Sequence, residues 1–281
     1  MPAPPPPTPL HAVGAVQPAE PLPDEVFVLE GMEEAANREV PAIAVASGSP
    51  TSLARVVPLD RAVLRERRVI LSDDSESAAH AYRMLRTQLL RQVRTERIRM
   101  IGVVSAVDGE GKTLTATNLA LNIAAEPNQT VLLVDLDLRR PGTAALLGLQ
   151  LEQGLERWFE GSVDDVGELF VRFEGLDRLR VLPTLHTVDG SSERLAGGRA
   201  RELLGELRNR YDDRLTIIDL PPVLLADDVL TVAPLLDGVM IVVSEGRTKR
   251  DDVARVRELL QGVPILGVVL NVSSESEQRA Y

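Results

Sequence analysis

Six short runs rich in Val, Ile and Leu, separated by segments of helical spacing, limit what this chain can fold into more than any other feature. They occupy residues 99–105, 130–135, 179–183, 215–219, 238–243 and 265–270. The runs are near-continuously apolar and do not alternate apolar with polar, so each strand must be buried on both faces. Helical patterns fall at residues 112–125, 143–147, 199–211 and 251–261. A longer one at 75–97 repeats Ala78, Ala81, Tyr82, Leu85, Leu89 and Val93 at three- and four-residue steps. Strands alternating with helices predict an α/β fold, a doubly wound and mostly parallel sheet. Aromatic residues make up only 3% of the chain, so its core must be aliphatic and Ala-rich. In such sheets ligands sit beyond the carboxyl ends of the strands, and the chemistry is to be sought there.

The flanks read differently. Residues 1–66 form a Pro-rich tail and linker, including Pro4-Pro5-Pro6-Pro7, with one short helix expected near residues 30–38. The folded unit is expected over residues 67–271 and a flexible tail over 272–281. No secretory signal is visible at the N-terminus, and no apolar run is long enough to span a bilayer. The nearest, residues 229–243, is interrupted by Asp237 and reads as buried core. With no cysteine in the chain, disulfides, thiol nucleophiles and thiolate metal sites are excluded, which fits a reducing cytoplasm. A net charge of −11 argues against nucleic acid as the partner of the whole surface.

The strand ending at Ser105 runs through Ala106-Val107-Asp108-Gly109-Glu110-Gly111-Lys112-Thr113-Leu114 directly into a helical pattern. Glycines let such a loop turn and aim amide protons at phosphate oxygens, and the helix N-terminus adds partial positive charge. Asp108, Gly109, Glu110, Gly111, Lys112, Thr113 and Leu114 are therefore the expected nucleotide contacts. Lys112 bridges the β- and γ-phosphates, and the Thr113 hydroxyl ligates Mg²⁺. Ala106 stands where the usual pattern has its first glycine.

Two further strands end in carboxylates. Residues 131–134 lead into Asp135-Leu136-Asp137-Leu138-Arg139-Arg140-Pro141. Paired carboxylates after a buried strand repel one another unless they share a cation or a proton, and Mg²⁺–ATP beside the loop supplies the cation. Asp135 and Asp137 can divide the roles of proton acceptor and metal ligand. Residues 215–218 lead into Asp219-Leu220-Pro221-Pro222, an apolar strand ending in a carboxylate of the Walker B kind, which holds Mg²⁺ through water.

Taken together these motifs resemble the bacterial tyrosine kinase (BY-kinase) family, whose members form the cytoplasmic half of a polysaccharide co-polymerase. Asp135, Asp137 and Arg139 match its second motif, and Asp219 with Pro221 and Pro222 its third. The resemblance implies a P-loop NTPase fold, ATP and Mg²⁺ as ligands, and ATP-dependent tyrosine autophosphorylation that regulates capsule or exopolysaccharide synthesis and export. It makes Asp135 the base for the attacking hydroxyl, Asp137 and Asp219 the metal carboxylates, Lys112 a support for phosphate, and Arg139 a support for phosphate or the neighbouring subunit. Asn271, after the last strand, lies where related proteins often contact adenine; an Asn that closes a strand turn is the other reading. A transmembrane co-polymerase or activator is the implied partner, and self-association is implied as well. That places the chain in the cytoplasm, peripheral at the inner face of the plasma membrane and held there only through its partner.

The cell-division and partitioning ATPases of the same class carry a lysine where Val107 stands, which points away from them. The chain also departs from the kinases. Arg83 and Arg86 keep the spacing of the family's subunit-pairing helix motif, but His80 replaces its glutamate, with Glu76 one turn earlier as a substitute. Where the family has a tyrosine cluster, this sequence has one tyrosine, Tyr281, as phospho-acceptor; Tyr82 and Tyr211 are expected to pack. An ATPase switch that hydrolyses ATP without phosphorylating tyrosine is therefore the alternative.

Overall fold

The computed structural model describes residues 54–74, 77–210 and 214–271. The Pro-rich segment, the helix expected near 30–38, Glu76, Tyr211 and the tail with Tyr281 lie outside those residues.

Among the described residues eight strands form one sheet: β1 (Arg55–Val57), β2 (Met100–Ser105), β3 (Thr130–Asp135), β4 (Val171–Phe173), β5 (Leu179–Leu182), β6 (Arg214–Asp219), β7 (Gly238–Ser244) and β8 (Ile265–Asn271). Their order is β1-β4-β5-β3-β6-β2-β7-β8. The six from β5 to β8 in that order run parallel, as expected. At the far edge β4 pairs antiparallel with β5 and parallel with β1.

The strands read as unbroken apolar runs because both of their faces are covered. Ile101, Val103, Val131, Leu133, Ile217 and Val242 pack beneath α2 (Ser77–Glu96) and α3 (Lys112–Ala124), with the short α4 (Thr143–Leu146) in the same layer. Their neighbours Met100, Val104, Leu132, Val134, Ile218 and Ile241 face the opposite layer. Burying successive residues on opposite sides follows from the two-residue period of a strand. That second layer is built from α5 (Glu156–Phe159), α6 (Ser191–Ala196), α7 (Gly198–Asn209), α8 (Asp228–Val232) and α9 (Arg250–Leu259).

The longer elements match the expected ranges to within two residues, but ordered structure begins earlier than residue 67. β1 and α1 (Arg61–Glu66) lie inside the stretch expected as linker. Asp60 caps α1 by accepting from the amides of Ala62 at 2.9 Å and Val63 at 3.2 Å, and Leu64 is buried against the α2–α3 layer. Three- and six-residue elements are too short to show a period, and for the same reason β4, α5, α6 and α8 have no counterpart in the sequence reading. On α2 the buried stripe is Ala79, Leu89, Leu90 and Val93, so its upper part turns Ala79 inward where Ala78 was expected.

Candidate active site

The phosphate loop connects β2 to α3, and its path is set by two glycines. Gly109 has φ +76° and Gly111 φ +87°, a left-handed conformation that only glycine adopts without strain. Gly111 is the N-cap of α3 and Lys112 its first residue. The loop is braced from inside by Glu110, which is fully buried. Its Oε2 accepts from the Val107 amide at 2.9 Å, and its Oε1 accepts from the Thr248 hydroxyl. The Asn271 side-chain amide donates to the Glu110 carbonyl at 3.0 Å. The Glu110 side chain therefore points into the protein as a strut, which leaves its backbone amide for the expected nucleotide contact. Leu114 is half-buried and packs into the α2–α3 core.

The three carboxylates converge at the ends of neighbouring strands. Asp135 on β3 and Asp219 on β6 are register partners, and both are fully buried. Lys112 Nζ donates to Asp137 Oδ2 at 2.6 Å, stands 3.7 Å from Asp219 Oδ1 and reaches Thr113 Oγ1 at 3.2 Å. The other Asp137 oxygen accepts from the Arg140 amide at 2.9 Å. Asp135 Oδ2 accepts from the amides of Gly142 at 3.0 Å and Thr143 at 2.9 Å. The Thr184 hydroxyl donates to the Asp135 carbonyl at 2.7 Å and fixes the strand end.

Electrostatics follow from that crowding. Burial, and then the charge of Asp219, push the Asp135 carboxyl up to about 8 from an ordinary value of 3.8. Burial also pushes Asp219 up, to about 6, against the opposing pull of Lys112 and Thr113. Burial alone would depress the Lys112 ammonium, but Asp219 and Asp137 outweigh it and the net shift is upward.

The donor set suits Mg²⁺. Thr113 Oγ1 and the carboxylates of Asp137 and Asp219 are hard oxygen ligands. Neither Asp219 oxygen accepts a hydrogen bond of normal length, which leaves two buried acceptors open to a cation. Among the described residues no group of three or more His, Cys, Asp or Glu could hold a metal by itself. A divalent ion here therefore also needs phosphate oxygens, as Mg²⁺ does in kinase and ATPase sites.

No family model matches the chain. It is 31% identical over 183 residues to the tyrosine-protein kinase CpsD of Streptococcus agalactiae, covering 63% of this chain and 76% of that one. The chain belongs to the bacterial tyrosine kinase family. A second bacterial tyrosine kinase, YwqD of Bacillus subtilis, is 28% identical over 221 residues, or 77% of this chain and 90% of its own. The succinoglycan biosynthesis transport protein ExoP of Rhizobium meliloti is also 28% identical, but there the chain spans only 28% of the relative's length. Among solved structures, the kinase domain of the Escherichia coli tyrosine kinase ETK superposes with a TM-score of 0.63 at 27% identity, over 82% of this chain and 93% of that one.

The remaining residues that the bacterial tyrosine kinase resemblance singles out are placed less simply. Arg139 is turned to the α6–α8 side, where Nη2 donates to Asp228 at 2.8 Å, Asp227 at 3.0 Å and Ser192 at 2.8 Å. Its partner Asp228 is fully buried, and its carboxyl is held low: burial would raise it, but Arg139, Ser192 and Ser191 prevail. Arg140, which the motif reading passed over, reaches Asp108 Oδ2 at 2.5 Å across the mouth of the phosphate loop. Arg83 donates to the Ser72 carbonyl at 3.0 Å, and Arg86 pairs with Glu126 at 2.8 Å, so both have partners within the chain. His80 is exposed, and Tyr82 is half-buried on the same helix. Thr248 and Arg247, on the loop after β7, also escaped the sequence reading. Their only signal was position at the carboxyl edge of the strand next to β2.

Proposed function

We propose that this chain is an ATP-dependent protein-tyrosine kinase that phosphorylates its own kind and serves capsule or exopolysaccharide synthesis and export. The observation that carries this is the convergence of Lys112, Asp135, Asp137 and Asp219 at the ends of β2, β3 and β6 beside a glycine-shaped phosphate loop. Family membership supports tyrosine as the acceptor, and the similarity to the succinoglycan biosynthesis transport protein ExoP supports the polysaccharide setting.

Lys112 neutralises Asp137 and stands close to Asp219. Entry of the triphosphate draws Lys112 towards the β- and γ-phosphates and releases both carboxylates. Thr113, Asp137 and Asp219 would then hold Mg²⁺, which when bound offsets the charge of the phosphate oxygens. The γ-phosphorus–oxygen bond to the β-phosphate breaks as the bond to the tyrosine oxygen forms, with ADP as the leaving group. Asp135 is the proposed base for the hydroxyl proton, which it takes in its ionised form. The candidate acceptor is Tyr281 of a second copy.

A transmembrane co-polymerase or activator is the partner in this reading, supported by the similarity to the succinoglycan biosynthesis transport protein ExoP. Through that partner the chain would sit at the inner face of the plasma membrane, as a homo-oligomer.

One observation favours a second reading. The sequence holds only three tyrosines, which suits an ATPase switch better than dense autophosphorylation. Purified protein incubated with labelled ATP and Mg²⁺, with and without the cytoplasmic segment of the partner, separates the two. Label that vanishes in Tyr281→Phe supports the kinase; free phosphate with no labelled protein supports the switch. Lys112→Met should abolish both signals.

A further inference from the structure

We infer that Arg247 is an additional nucleotide-binding residue, a guanidinium that the loop after β7 supplies to the triphosphate. Arg247 Nη1 donates to the Gly109 carbonyl at 3.3 Å. A Cβ built on Gly109 would stand 2.6 Å from Arg247 Nη1 and 2.9 Å from its Cζ, so the guanidinium lies directly against the backbone of the phosphate loop. It can come that close only because residue 109 has no side chain.

The loop that carries it is fixed. Thr248 Oγ1 accepts from the Ser244 amide at 2.8 Å and donates to buried Glu110, while the Arg247 amide donates to the Ser244 carbonyl at 3.2 Å. Arg247 is thus tied to the phosphate loop both through its own side chain and through the Thr248–Glu110 contact.

Charge sets it apart from the other arginines at this rim. Arg139 is paired with Asp227 and Asp228, and Arg140 with Asp108. Among the described residues Arg247 makes no ion pair; the side-chain hydrogen bond it makes goes to a neutral carbonyl. A guanidinium has five N–H donors in a planar fork that matches phosphate oxygens, and one long bond to a carbonyl leaves most of them for a ligand. A structural strut would need only the carbonyl contact. A cation held without a counter-charge beside a phosphate cradle fits an anionic ligand, and the triphosphate is the anion this loop is shaped for.

This assignment holds only if the loop is an ATP site, so the experiment includes a control for that. Dissociation constants for a non-hydrolysable ATP analogue, ADP and AMP are measured by calorimetry on the full chain. The variants are Arg247→Ala, Arg247→Lys and Lys112→Met. Arg247→Ala should weaken the ATP analogue by about tenfold, the loss of one charge-assisted contact, and leave AMP within about twofold. Arg247→Lys should recover part of the loss, since it restores the charge without the fork. Equal weakening of all three nucleotides would make Arg247 a strut and overturn the inference, as would no weakening at all. Normal binding by Lys112→Met would instead overturn the ATP site itself.

Discussion

Asp135 and Asp219 face each other as register partners on neighbouring parallel strands, and neither carboxylate reaches solvent. Two acids so placed cannot both ionise cheaply, and that makes the protein pH-sensitive in a definite direction. Asp135 titrates near 8 when folded but has an ordinary value of 3.8, so unfolding releases its proton across the interval between them. Stability from this group is therefore lost as pH rises from about 4 to about 8. Asp219, also raised, adds to the same slope up to about 6. Asp135→Asn should stabilise the nucleotide-free protein, and by more at pH 8 than at pH 5. Each pKa unit is worth ~1.4 kcal/mol, and ~1 kcal/mol moves the Tm of a chain this size by roughly 2–4 °C. The Tm gain should thus be larger at pH 8 than at pH 5, by several degrees. An equal gain at both values would refute the coupling. The same variant should lack phosphotransfer, because it removes the proposed base.

Lys112 makes the opposite contribution. Its ammonium is the cation that Asp137 and Asp219 share, and its side chain is 11% exposed. Removing one partner of a buried pair leaves an uncompensated charge and costs about 3–5 kcal/mol. Lys112→Met should therefore lower the unfolding free energy as well as abolish ATP binding. Lys112→Met combined with Asp137→Asn should recover part of that stability while binding stays lost. Urea unfolding of both variants checks this, and a single variant as stable as the parent chain would dismiss the ion pair as a support of the site.

How much of this was legible in the sequence depended on the length of each signal. The central strands could be read because burial on both faces makes them apolar throughout, and Asp135 and Asp219 could be read because each closes such a run. Lys112 and the loop glycines were visible from spacing alone. The motif speaks only of the loop's backbone amides, so the role of the Glu110 side chain could not be read. Its inward turn depends on Thr248, which lies 138 residues away in sequence. Arg139 was read from its motif as a phosphate or subunit contact. The buried Asp228 that captures it sits on a five-residue helix with no period of its own.

Thr248 offers a direct test of that long-range strut. Thr248→Val keeps the shape of the side chain but deletes the hydroxyl, leaving buried Glu110 Oε1 without its donor. The cost of an unsatisfied buried acceptor of this kind is about 1–3 kcal/mol. Part of that cost should appear as a looser phosphate loop, with KM for ATP raised about three- to tenfold and kcat changed less. Thr248→Ser, which restores the hydroxyl, should return KM towards the parent value. An equal fall in kcat with KM unchanged would show that the contact acts on the chemical step and not on loop shape.

Arg86 carries the last prediction. The final carbonyls of a helix have no intrahelical partner, and a cation near them is favourable. Arg86 fills that role for α3: Nη1 donates to the Asn122 carbonyl at 3.2 Å, and Nη2 pairs with Glu126 at 2.8 Å. The guanidinium is 16% exposed, so this pair is screened less than one at the open surface. Arg86→Ala should lower stability by about 1–2 kcal/mol through the lost cap and pair, seen as a fall in Tm. Arg86→Lys should recover only part of it, because a single ammonium cannot serve the carbonyl and the carboxylate in the same fork geometry. Sizing of the same variants tests the family's pairing role separately. A fall in mass without a fall in Tm would assign Arg86 to subunit contacts and strip it of the role in holding α2 to α3.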